Sequence, residues 1–421
     1  MAITRRDFLR ASAAGAVLAG IGGLPGISSA ATKKVKIGFL APLTGEVAAW
    51  GLPGLYGAEI WAERVNKAGG IKIGGDNYMV EFASFDNEYL PDKALQGFKK
   101  LVTEEDVKFI MMLGGDTWPA VQRFAKQRKI LTSTLLPSDL STDSPYHLAP
   151  CEVHPIYNVT GVQWMAEQFP NLKTAVIAAQ NDALGLPSVA TYLAALEAAG
   201  IEVVAQNIFD PATTDFAPIV TSLLAKKADV FCLDTSYADY VNLITEQLFH
   251  QGFKGKWISC TFDNYPDVID KTSKDFVEGF IFQFPDFDDP ALNASHINFE
   301  DPNPFFAEFE KRHPGNWSAV AWEYASIMDL WKGAAEKAGS VEPMKVLTAM
   351  KAGGEAPHVF GDAKWWGKEL WGIDNALVGN WPVVTIQNGR ARIVEYKSIP
   401  EWWAKNKGLL IKHMKAMGQL A

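Results

Sequence analysis

The chain has 421 residues, with 48 Asp and Glu against 39 Lys and Arg, a formal charge of −9 and 48% hydrophobic residues. That acidic balance argues against nucleic acid as a partner, because phosphate binding needs clustered Lys and Arg; the apolar content is that of a packed globular protein. This length exceeds what one hydrophobic core usually holds, so two domains are expected.

Thr4-Arg5-Arg6-Asp7-Phe8-Leu9-Arg10 has the form of a twin-arginine export signal. An apolar stretch of mostly Ala and Gly runs from Ala11 to Gly23, and Ser28-Ser29-Ala30 offers the small residues a signal peptidase needs. Residues 1–30 are therefore expected to be a twin-arginine signal peptide, cleaved after Ala30 or Ala31. They carry three Arg and one Asp, so removing their +2 from −9 leaves −11 on the mature chain. Later apolar runs fall short of the roughly 20 residues a spanning helix needs. The expected location is periplasmic, as a soluble protein, and no cysteine follows the signal to carry a lipid anchor.

Val35, Ile37 and Phe39 alternate with Lys36 and Gly38, the period-2 signal of a strand. The chain turns through Pro42, Thr44 and Gly45, and a helix is expected after Pro53, with Leu55, Ala58, Ala62 and Val65 on one face and Gly69-Gly70 as its stop. The spacing next predicts a strand at Met79–Phe85, a helix opened by Pro91, a buried strand at Val107–Leu113, a loop over Gly114–Trp118, a helix with Pro119 in its first turn and a strand at Ile130–Leu136. The rhythm breaks from about Ala149 to Tyr157 and then restarts. Strands are expected at 174–179, 203–209, 230–233 and 257–260, with Asp215 capping an intervening helix. A Pro- and Asp-rich stretch from Phe284 to Pro304 breaks the pattern again. Two helices (317–337 and 341–351), strands turning at Asn388-Gly389 and an amphipathic tail with Trp402 and Trp403 complete the chain. The class is α/β with two doubly wound halves.

A strand, loop and helix in this order start an open sheet, and such sheets bind ligands at the carboxyl ends of their strands. The segments IGFLAPLTG, AAWG, the YGAE helix and NKAGGI together resemble the start of the leucine/isoleucine/valine-binding family of periplasmic solute-binding proteins. The resemblance implies a type I periplasmic-binding clamshell: two Rossmann-like lobes joined by a three-crossing hinge, with crossings near residues 150–157, 282–290 and 360–378. Lobe 1 is then 31–150 plus 285–365, lobe 2 is 151–284 plus 366–397, and 398–421 is a C-terminal extension. It also implies capture of a small organic solute, delivery to a membrane ABC permease, no cofactor and a monomer. Branched-chain or apolar amino acids and small aromatic or organic acids are the ligand classes in view. A sensor subunit and an enzyme with a cryptic site are the alternatives.

Family ligand positions fall on specific residues here. AAWG supplies Trp50. The serine loop that holds the ligand carboxylate falls on Gly115-Asp116-Thr117-Trp118, with glycine where the key serine stands. The next positions fall on Pro137 and Ser138, on Leu184 with Gly185, and on Ser236 with Tyr237 adjacent. The acid that pairs with a ligand ammonium falls on Thr261, and Asp263 is the nearest carboxylate. An ammonium buried in a closed cleft needs a charge partner, so either Asp263 moves in or the ligand is not an α-amino acid. Asp116 likewise disfavours a bare carboxylate in its loop.

No GxSxG, Cys-x-x-Cys, HExxH or phosphate-loop motif occurs, and the seven histidines show no i, i+4 pair. No metal site is expected; Asp286, Asp288 and Asp289 form an acidic knot without the ligand pattern of a calcium loop. Cys232 and Cys260 fall on successive strands, where a bridge is conceivable and buried thiols are the simpler reading. Trp365, Trp366 and Trp371 either line the cleft mouth or pack the hinge.

Overall fold

The computed structural model describes residues 33–420 apart from 235, 236, 295, 296 and 300. The expected signal peptide and Ser236 lie outside the described residues.

The first lobe is built on β1 (Lys33–Ala41), β2 (Ile71–Ile73), β3 (Asp76–Asp86), β4 (Phe109–Met112), β5 (Leu131–Ser133) and β6 (His147–Leu148), in the spatial order β2-β3-β1-β4-β5-β6. All neighbours are parallel except the β2–β3 hairpin. β4 is buried along its whole length, because helices cover both faces of this sheet. One covering layer contains Pro91–Thr103 and Trp118–Arg128 and has its own core of Leu40, Phe98, Ile110, Met112 and Trp118. On the other side, the helices Ala48–Lys67 and Val320–Ala338 pack together. A Cβ on Gly57 would stand 2.3 Å from the Ala321 carbonyl oxygen, so only glycine permits that approach.

The second lobe uses β7 (Thr174–Gln180), β8 (Glu202–Phe209), β9 (Val230–Leu233), β10 (Lys256–Ser259) and β11 (Ile281–Phe282). Between the lobes, β12 (Glu355–His358), β13 (Gly361–Trp366) and β14 (Ala376–Val378) form a separate antiparallel sheet. β15 (Asn380–Gln387) and β16 (Arg390–Ser398) then complete the second sheet in the order β16-β15-β11-β10-β9-β7-β8. Asn388 and Gly389 turn the last hairpin with φ of 51° and 75°, the left-handed conformation that an Asn-Gly turn supplies. Arg390 and Arg392 pair with Asp286 and Asp288, and Ile393 N donates to Asp289. The acidic knot therefore fastens this hairpin.

The chain crosses between lobes from β6 to the helix Asn158–Gln168, from β11 to the helix Pro302–Arg312, and from β14 to β15. Aromatic rings bind the crossings together: Tyr157 stacks on Trp381 at 5.3 Å and Phe287 on Trp322 at 5.2 Å.

Three expectations need correction. The first helix starts at Ala48, ahead of Pro53, so Trp50 sits in its first turn rather than in a loop. Residues 366–378 do not join the second sheet; Ala376 in β14 bridges to Ala149 beside the first-lobe sheet. The final helix, Ile399–Ala416, is an integral part of lobe 2, packed on Leu186–Ala198. The three cysteines are buried and none is in a disulfide, so the conceivable Cys232–Cys260 bridge is absent.

Candidate functional site

The carboxyl ends of β1, β4 and β5 face those of β7, β9 and β10 across the hinge, and a cavity of about 30 Å³ lies between them. Its apolar wall includes Trp50, Leu113, Leu135, Leu136, Leu184, Phe284 and Val320, and its polar groups are Thr261, Glu152, Asp263 and Glu323. Glu152 lies on the first crossing, Asp263 follows β10 and Glu323 stands in the first turn of Val320–Ala338. Hence both lobes and the hinge each bring a carboxyl to one small space.

These carboxyls are shifted in the same direction for the same main reason. Burial, with repulsion from Glu152 and Asp263, raises Glu323 well above the ordinary carboxylate range. Burial pushes Glu152 up to about 8, opposed by a hydrogen bond with Tyr157. Asp263 keeps some solvent access and is pushed only to about 6, because the Ser318 hydroxyl donates to it at 2.9 Å and the Ala319 amide also favours its charged form. Glu323 is 1% exposed, and its Oε2 has no hydrogen-bond partner. A buried polar group without a partner carries a desolvation cost that a neutral core would avoid.

The rims of the cleft are built from two loops at helix starts. In lobe 1, Gly114 and Gly115 have φ of 99° and 62°, and the Gly115 amide points at Asp139, whose Oδ2 accepts at 3.0 Å. Burial pushes Asp139 up to about 8 despite that bond and one from Thr134. In lobe 2, the Leu184 and Gly185 amides donate to Asp182 Oδ1 at 3.0 and 2.8 Å, ahead of the helix Leu186–Ala198. An outer cavity of about 300 Å³ reaches from Asp139 and Ser138 to Asp182, Ala183 and Trp371, and is flanked by Met414 of the last helix. Among the described residues lining either cavity there is no Lys, Arg or His.

Contacts join the rims. Trp50 meets Tyr237 edge-on at 6.3 Å, the Tyr240 hydroxyl lies 3.2 Å from Glu46 Oε2, and the Asp116 carboxylate accepts from the Ala183 amide. The described conformation is thus a closed one.

The structure brings Trp50, Leu184, Thr261 and Asp263 to the inner cavity and Ser138 to the outer one. Gly115, Asp116 and Tyr237 stand at the rims, held by the contacts above. Pro137 is buried in the short turn Pro137–Asp139 and lines neither cavity. Thr117 and Trp118 do not meet the cleft. The Thr117 hydroxyl donates back to the Gly114 carbonyl, and the Trp118 indole packs on His147 at 3.9 Å within the lobe 1 core. The helix starting at Trp118 directs that side chain into the layer behind the sheet. Trp366 packs on Trp371 and Trp403. Sequence reasoning missed Glu152, Glu323, Asp139 and Asp182. A local signal existed for Asp182, whose spacing before Leu184-Gly185 suits an Asx turn.

A family model described as periplasmic binding protein matches residues 34–391. The Leu/Ile/Val-binding protein BraC3 of Rhizobium johnstonii is 25% identical over 339 residues, covering 78% of this chain and 86% of the relative. The Leu/Ile/Val-binding protein homolog 3 of Brucella melitensis is 28% identical over 240 residues, 54% of this chain and 61% of that relative. Among solved structures, a solute-binding protein of an ABC transporter from R. palustris, in complex with 4-hydroxybenzoate, superposes with a TM-score of 0.71 at 20% identity, covering 88% of this chain and 99% of that one. That likeness shows the two-lobed fold. With a family match over most of its length, the chain belongs to the periplasmic binding protein family.

Proposed function

We propose that this protein captures a small organic solute outside the cytoplasm and delivers it to the permease of an ABC importer. The observation that carries the reading is the inner cavity, whose wall is shared by both lobes and the hinge, so that closing the lobes completes it. Opening admits the solute to one lobe, and closure buries it between two. The inner space of about 30 Å³ has room for little more than water, so the solute enters the open form and closure adjusts around it. The closed form, with its rims joined, is the species a permease would recognise. Export through the twin-arginine machinery and action as a monomer complete the proposal. In the described residues no helix is long and apolar enough to cross a membrane.

Small-angle scattering tests the capture step: a binding solute should lower the radius of gyration, and binding with an unchanged radius would defeat the clamshell mechanism. Delivery is tested by adding solute-loaded protein to proteoliposomes holding the permease and its ATPase. Stimulated ATP hydrolysis is expected; solute-dependent closure without stimulation would point to sensing instead.

A further inference from the structure

We propose that the cleft takes an organic cation: a solute with an apolar body, a protonated amine and no free carboxylate. This rests on the solute-capture reading and specifies its ligand class.

Four observations lead there. Glu323 is almost fully buried, lines the inner cavity and leaves Oε2 without a partner. Glu152 and Asp263 line the same cavity from the hinge and from lobe 2. An ammonium placed among them would supply the missing donors and offset the repulsion between them. An anionic solute would add a further negative charge, and a neutral one could give the Glu323 oxygen a donor but no charge to offset its neighbours.

The second observation concerns where a carboxylate would go. The amides of Gly115 in lobe 1 and of Leu184 and Gly185 in lobe 2 are the helix-start donors suited to an anion. Both sets are already bonded to carboxylates of the chain, Asp139 and Asp182. Third, no basic side chain lines either cavity among the described residues, so nothing there compensates a ligand's negative charge. Fourth, the walls are apolar and carry Trp50, an aromatic face of the kind that attracts a desolvated cation. A metal ion is the other occupant that three carboxyls bring to mind. Among the described residues, however, no group of three or more His, Cys, Asp or Glu is arranged to hold one.

The test uses ligands matched in carbon skeleton on the full mature chain: isoamylamine, leucine and isocaproate, then phenethylamine, phenylalanine and phenylpropionate. Thermal shift and calorimetry read binding. In at least one series the amine should bind about tenfold tighter than its zwitterionic and acidic counterparts. Glu323→Gln keeps the shape and removes the charge; it should weaken the amine by roughly thirtyfold or more, the scale of losing one member of a buried charge pair, while melting no lower than the parent. Glu152→Gln provides the second variant should the first fold poorly. Tighter binding of the acids or amino acids, no amine binding at millimolar concentration, or unchanged amine affinity in both variants would overturn the proposal. An acid that binds and closes the lobes would leave solute capture standing, whereas binding without closure would defeat the capture mechanism whatever the charge.

Discussion

The rims of the cleft and its floor treat carboxyl groups in opposite ways. At the rims, Asp139 and Asp182 are met by backbone amides at helix starts. At the floor, Glu323 has an oxygen that meets nothing. Rim acids are thus used to hold loops, and burying them is offset in part by amides of the chain. Floor acids are gathered from three distant parts of the sequence, and although Glu152 and Asp263 have hydrogen-bond partners, Glu323 keeps an unmatched oxygen, which is how a site behaves when part of its structure arrives with the ligand.

The largest expected effect separates the two regions by pH. Asp139 and Glu152 are pushed up to about 8 and Asp263 to about 6, above the ~4 of an unfolded carboxyl. A group raised in the folded state contributes stability that is present below its unfolded value and lost as pH rises through the folded one. The unliganded protein should therefore lose stability steadily between about pH 4 and pH 8, by at least the ~3 kcal/mol that the two-unit shift of Asp263 alone carries. Urea titrations across that range check the slope. The double variant Glu152→Gln/Glu323→Gln should flatten it more than Asp139→Asn does; the reverse would make the rim the dominant store of unfavourable charge.

Next in size is Asp182→Ala. It orphans the Leu184 and Gly185 amides and should cost about 2 kcal/mol by chemical denaturation. Asp182→Asn should recover most of that loss, because an amide oxygen still accepts. If alanine costs nothing, the rim acids do not hold the loop.

Trp50→Ala should weaken ligand binding about tenfold and leave a cooperatively folded protein, as read by calorimetry and thermal melting. The side chain is 7% exposed and lies between the inner cavity and Tyr237, so an unchanged dissociation constant would remove it from the site. The smallest effect belongs to Glu46→Ala. Glu46 is exposed, and its contact with Tyr240 across the rims is worth ~0.5 kcal/mol. That variant should open the lobes slightly in scattering and leave stability nearly unchanged.

Much of the fold was legible because each signal was local. Val35, Ile37 and Phe39 marked a strand, Gly69-Gly70 a helix stop and Asn388-Gly389 a hairpin, each recognisable within a few residues. The small sheet over 355–378 was not, since its strands are only three to six residues long, and pairing with neighbours decides their structure. Of the site, Trp50 and Asp263 were accessible through motif and position. Glu152 and Glu323 were not, because 171 residues separate them and only the crossing of the chain between lobes brings them together. Trp118 misled for a related reason: its place in a loop motif said nothing about which side of the sheet the following helix would turn it toward.

The burial of all three cysteines has a practical consequence. Cys151, Cys232 and Cys260 are all buried, which shields them from a labelling reagent, and burial also raises the thiols of Cys151 and Cys232. A cysteine introduced at exposed Asn181, beside the lobe 2 rim, would then be the one reactive handle. An environment-sensitive dye attached there would change brightness as the rims meet, turning the unmodified scaffold into an optical sensor for whichever solute it takes.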